Sequence, residues 1–160
     1  MASGRPMNYT TKIPAHQTMA ECQSLLAAAG AGSVAVHFED GQPAGLSFTL
    51  KTPHGTRAFT LPVDVSAMHA VLRKADFSSL HATRAALAQY ASREHAVRVA
   101  WRVAKDWLEA NLALIAAKMA TLETVMLPYL MVDDERTLWE AYQDNERAAL
   151  EAGGSDAGPA

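Results

Sequence analysis

The chain is short of the residues that staple, span or clamp. It has one cysteine, Cys22, so no disulfide can close within it, which fits a reducing compartment; the bacterial host cytoplasm is the expected location. No apolar run reaches the ~18–20 residues of a membrane span. The opening MASGRPMNYT lacks the apolar core of a secretion signal, so no membrane partner is expected. Basic side chains are in deficit, 14 Lys and Arg against 17 Asp and Glu, for a net charge of −3. A duplex-DNA binder usually carries a basic surface, so duplex DNA is not an expected partner. There is no nucleophile elbow, no HExxH and no glycine-rich phosphate loop. Gly30-Ala31-Gly32 is too short for such a loop and lies between a helix and a strand in the wrong order. The six histidines, His16, His37, His54, His69, His81 and His95, are scattered without metal-ligand spacing. No metal and no cofactor are expected, and an enzyme is the less favoured reading.

What is present is a single domain's worth of ordinary globular sequence: 160 residues, 49% hydrophobic and 19% charged. Its central stretch is Arg93 to Met119, free of Gly and Pro and rich in Ala, Leu, Lys and Glu, which predicts one long helix. Val97, Trp101, Ala104, Leu108, Leu112, Ile115 and Met119 line one face. Val99, Val103, Trp107, Ala110 and Leu114 line a second. A helix apolar on two sides is buried on two sides, so the remaining chain, or a second copy, is expected to clasp it. From this we expect a homodimer or higher oligomer, with twofold symmetry the simplest form.

In chain order, residues 1–7 are expected to be disordered, residues 8–150 to form the domain, and residues 151–160 to be a disordered tail. Tyr9 to Ile13 reads as a short edge strand closed by Pro14. Thr18 and Glu21 form a capping-box pattern that opens a helix, with Met19, Cys22, Leu25, Leu26 and Ala29 on one face and Gly30 at its end. Ser33–Glu39, Leu46–Lys51 and Thr56–Leu61 alternate like strands around turns at Asp40-Gly41 and Thr52–Gly55, with Val34, Val36, Phe38, Leu46, Phe48, Leu50, Phe59 and Leu61 inward. Asp64 caps a short helix with Met68, Val71 and Leu72 inward. Lys74 to Leu80 is a loop, Thr83–Tyr90 is helical, and Thr121 caps a short helix ended by Pro128. The acidic run Asp133-Asp134-Glu135 is expected to begin a last helix carrying Leu138, Trp139, Tyr142 and Leu150. The fold class is α+β: a small antiparallel meander covered on one face by helices, with one long central helix.

Three features admit a functional reading beside a plain one. Arg98, Arg102 and Lys105 share the polar arc of the long helix and can hold a phosphate, yet each has an acid four residues away that makes it an ordinary solvated face. Trp101 and Trp107 can stack a base, yet each continues an apolar stripe. Tyr9, Thr10, Thr11 and Lys12 can make an anion-binding edge, yet threonine is simply a good strand residue. The candidate ligand-binding residues are therefore Lys12, Arg98, Arg102 and Lys105 for phosphate, with Tyr9, Thr10 and Thr11 nearby. An enzyme acting on nucleotides would have to assemble His54, His69 or Glu39 from separate segments. Cys22 reads as a small buried hydrophobe.

YTTKIP, the helix ending AAAGA, DGQPAGLSF, PHG, FTLP, RVAWRVAKDWLEANLALI and MLPYL together resemble a family of small uncharacterised proteins of phages, prophages and mobile elements, over roughly Asn8 to Met131. The resemblance implies a phage or mobile-element accessory protein and gives no residue a role. The functional expectation is a non-enzymatic binding protein, a counter-defence factor sequestering a nucleotide-type ligand. The alternative is a single-strand nucleic-acid or protein-interaction module in phage DNA metabolism.

Overall fold

In the computed structural model, which describes residues 4–154, the expected α+β architecture is present. The order is α1 (Ala15–Ala28), β1 (Ser33–Glu39), β2 (Gln42–Thr52), β3 (Gly55–Thr60), α2 (Val65–Lys74), α3 (Arg84–Tyr90), α4 (Arg93–Ala116), α5 (Leu122–Met126), a 3-10 turn (Leu127–Tyr129) and α6 (Leu138–Gly154). The three strands form one antiparallel meander in the order β1-β2-β3. Asp40 and Gly41, both at positive φ, close its first hairpin, the backbone a tight two-residue turn requires. Leu46, Phe48, Leu50, Phe59 and Leu61 are buried on the inner face.

α4 covers that face and is flanked by α1 and α2. Ser92 starts it by accepting the His95 N–H at 3.1 Å. Along its first four turns both apolar stripes are covered by the chain itself: Val97, Val99, Trp101, Ala104 and Leu108 are all buried. Trp107, further along the second stripe, packs edge-on against Tyr129 with ring centres 5.0 Å apart. Further along, this flank is covered less completely: Val103 and Trp107 are half-buried, and Ala110 and Leu114 are exposed. The helix stops at Ala116 rather than Met119. Lys118 turns left-handed at φ 59, and the Met119 N–H folds back to the Leu114 carbonyl, a stop that no glycine announces.

Several local expectations are corrected. Tyr9–Ile13 is a turn and not a strand: Asn8 has φ 62, the Thr11 N–H returns to the Asn8 carbonyl, and the Tyr9 carbonyl is taken by His95. With these groups paired at short range and to α4, no strand ladder forms. α1 begins at Ala15, four residues early, with Pro14 rather than Thr18 in the N-cap position and its ring fixing φ there. Thr18 is therefore inside the helix and fully buried, and Glu21 pairs with Arg102 instead of closing a capping box. Val71 faces outward. α6 begins at Leu138 and not at the acidic run. The Asp133 carboxylate accepts N–H bonds from Glu135 and Arg136 in a turn of its own, whereas Thr137 and Glu140 form the reciprocal cap. Residues 4–7 are tied in part through Arg5, which donates to the Asp76 carbonyl at 3.0 Å and to Ser79. Of the expected disordered ends, 1–7 and 151–160, residues 1–3 and 155–160 lie outside the described residues, and 151–154 continue α6.

Candidate functional site

The polar arc of α4 is a seam as much as a surface. Arg102 donates to Glu21 of α1 at 2.7 Å, and Lys105 to Glu109 at 2.5 Å. Asp106 accepts from Asn8 at 2.8 Å, which fastens the N-terminal loop to the same helix. Arg102 is thus built into the α1–α4 junction, and Lys105 is paired within α4. Tyr9 belongs to an aromatic cluster with Phe77 and Tyr90, at 5.9 Å and 6.0 Å between ring centres. The Thr11 hydroxyl accepts the Ile13 N–H at 3.2 Å. Thr10 and Lys12 stand exposed on the loop leading to Pro14, and Lys12 enters no ion pair among the described residues.

Arg98 is held differently. One terminal nitrogen donates to Glu94 at 3.2 Å, and the other reaches His95 Nδ1 at a long 3.4 Å. Its buried Nε has no acceptor. A buried donor left unpaired costs about 1–3 kcal/mol, so this guanidinium is under-satisfied where it rests. Arg98 lines a cavity of about 280 Å³ together with His16, Phe38, Gln42, Pro14 and Glu94. The first turn of α1 opens into it, and no side chain caps that turn. Phe38 is 63% exposed at the rim, although β1 alternation puts it inward. The β1–β2 pairing slips at this point: His37 opposes Gly45 but Phe38 opposes Pro43, leaving Ala44 as an extra residue. Such a bulge re-aims the strand end. Trp101 pins it, donating its indole N–H to the Pro43 carbonyl at 2.7 Å in the core.

His95 is the support behind this corner. It is 5% exposed, and its Nε2 donates to the Tyr9 carbonyl at 2.5 Å. Nδ1 is then the bare nitrogen that can accept from Arg98. Burial pushes its pKa below the ordinary histidine value; the Tyr9 bond opposes this and the Arg98 charge adds to it.

The residues of the enzyme reading do not converge. His69 bonds the Ala91 carbonyl at 3.0 Å, His54 sits on the second hairpin turn, and Glu39 faces Arg93 at 3.7 Å. No group of three or more His, Cys, Asp or Glu able to hold a metal occurs among the described residues. Cys22 is fully buried, and burial raises its pKa to about 11, so it remains a thiol. A larger cleft of about 760 Å³ lies between the start of α6 and the β3–α2 connection, lined by Leu61, Val63, Tyr129, Trp139, Asp64 and Glu140. Of its carboxylates, Asp64 accepts the Ala67 N–H, Glu140 accepts the Thr137 N–H and Glu39 faces Arg93. No Lys, Arg or His lines it.

Of the seven candidate residues, then, only Arg98 lines a cavity beside an aromatic side chain and a free helix end. His16, Phe38 and Gln42 were missed by sequence reasoning. The DG turn located the hairpin, but the bulge that exposes Phe38 leaves no mark in the alternation. The chain matches no family model, no curated protein and no solved structure.

Proposed function

We propose that this chain is a non-enzymatic binding protein of a phage or mobile element that sequesters a small nucleotide-type anion in the cavity at Arg98. The observation that carries the reading is the under-satisfied Arg98 guanidinium beside exposed Phe38 and the uncapped first turn of α1. A phosphate suits the guanidinium and the helix N–H groups, and a base suits the faces of Phe38 and His16. Lys12, two residues before Pro14, is an exposed cation on the loop that leads to the cavity-lining Pro14. The cavity, at about 280 Å³, falls just below the ~300–1,000 Å³ usual for ligand sites, so a mononucleotide or smaller is favoured. Glu94 has to turn away, and its side chain is 79% exposed. Exposed i,i+4 pairs are worth only ~0.3–0.5 kcal/mol, which a charge-assisted phosphate contact exceeds.

Isothermal titration with a panel of linear and cyclic nucleotides and inorganic phosphate tests this. The expectation is saturable binding of at least one mononucleotide, weakened at least about tenfold, or ~1.4 kcal/mol, by Arg98→Ala. No heat from any member with a folded sample, or an affinity indifferent to Arg98→Ala, contradicts it. The single-strand reading is less supported because Arg102 and Lys105 are committed to Glu21 and Glu109. A protein-interaction role is favoured by a separate feature, the exposed stripe of α6.

A further inference from the structure

α6 is amphipathic along its length and has little to lie on. Leu138, Tyr142, Ala149, Trp139 and Leu150 share one side of the helix, interrupted only by Glu146, while Glu140, Asp144, Arg147 and Glu151 occupy the opposite side. Trp139, Tyr142 and Leu150 are 52%, 53% and 75% exposed. The two aromatic rings stack on each other 5.8 Å apart, with Trp139 at the edge of the cleft lined by Leu61 and Tyr129. The helix leaves the domain beside β3 and rests chiefly on the 3-10 turn. Helices of this length draw most of their stability from packing, so this one wants a bed.

Charge discriminates among the possible beds. Residues 133–160 hold eight acidic and two basic side chains, which leaves twelve basic and nine acidic on residues 1–132. The arm is thus −6 and the body +3. Arm against arm is repulsive, whereas arm against body is attractive. The body carries an apolar groove, about 760 Å³, floored by Leu25, Leu50, Leu112, Ile115 and Leu122 and edged by Lys51 and by Glu109, whose charge Lys105 offsets. α6 does not line it in its own chain.

We propose that α6 of one protomer lies in this groove on a second copy, and that the reciprocal contact closes a twofold dimer. An apolar helical stripe set in an apolar groove is a recurring recognition mode, and twofold reciprocity doubles it. A buried Trp or Tyr covers about 150–250 Å². With the matching groove area, two arms approach the ~1,200–2,000 Å² of a stable interface, and one arm does not.

Sedimentation of the full chain over a range of concentrations tests the assignment. The expected result is a dimer whose affinity falls as salt is raised, because arm–body attraction is screened. Trp139→Asp in the arm and Ala113→Glu in the groove each give a monomer. Both positions are exposed, and circular dichroism verifies that each variant is folded. Mixing the two variants restores weak association, since one intact arm then meets one intact groove. A chain that is monomeric at every concentration overturns the proposal. So does a dimer indifferent to both substitutions, or one that salt strengthens, the signature of arm–arm pairing.

Discussion

His95 shows how one side chain can set the state of the candidate site. Its Nε2–H holds the N-terminal loop through the Tyr9 carbonyl, and its bare Nδ1 faces Arg98. A proton on Nδ1 would meet the guanidinium head-on. The folded pKa is depressed by burial, so the unfolded chain binds this proton more readily than the folded one. The associated stability is complete above the ordinary histidine value of about 6.5 and is lost as pH falls below it. Thermal unfolding followed from about pH 8 down to pH 5 is expected to show this loss, and His95→Gln, which keeps a donor for Tyr9 without titrating, is expected to flatten it. An unchanged slope in His95→Gln removes His95 as the cause. Sequence reasoning put His95 among scattered histidines because its partner lies 86 positions away.

At the level of elements, legibility followed locality. β1, the two hairpin turns, the Asp64 and Thr121 caps and the body of α4 depend on patterns within a few residues, and each lies where the pattern put it. The failures are places where distant groups compete for a local one. Thr18 reads as a cap until Arg102 and core packing take it; Tyr9–Ile13 reads as a strand until His95 takes its carbonyl. The Ala44 bulge is of the same kind, since its Pro43 carbonyl is held by Trp101 across the core. Trp101→Phe is expected to leave that carbonyl unpaired and a small void beside it, costing roughly 2–3 kcal/mol. Urea unfolding measures this as a lower midpoint at unchanged slope; a loss under about 0.5 kcal/mol would mean the indole N–H does not hold the bulge.

For the molecule as a whole, the α+β class and the central helix were readable because they follow from hydrophobic periodicity alone. The candidate site was readable only in part. Arg98, Arg102 and Lys105 stand at equivalent positions on one arc, and nothing in their spacing distinguishes them. Tertiary partners do: Glu21 and Glu109 occupy two of the cations, while Arg98 keeps a buried Nε without an acceptor beside a cavity. Oligomerisation was expected from two greasy faces of α4; the chain covers most of the first and the start of the second, and further exposed apolar surface lies on α6. The central claim is that Arg98, and not the arc as a unit, meets the ligand. Nitrogen-detected NMR of the arginine side chains, with AMP or inorganic phosphate added, tests it most directly. The Arg98 Nε–H signal is expected to move saturably and to slow its exchange with water while that of Arg102 stays in place. A saturating shift at Arg102 with Arg98 unmoved, or no shift at either, contradicts it.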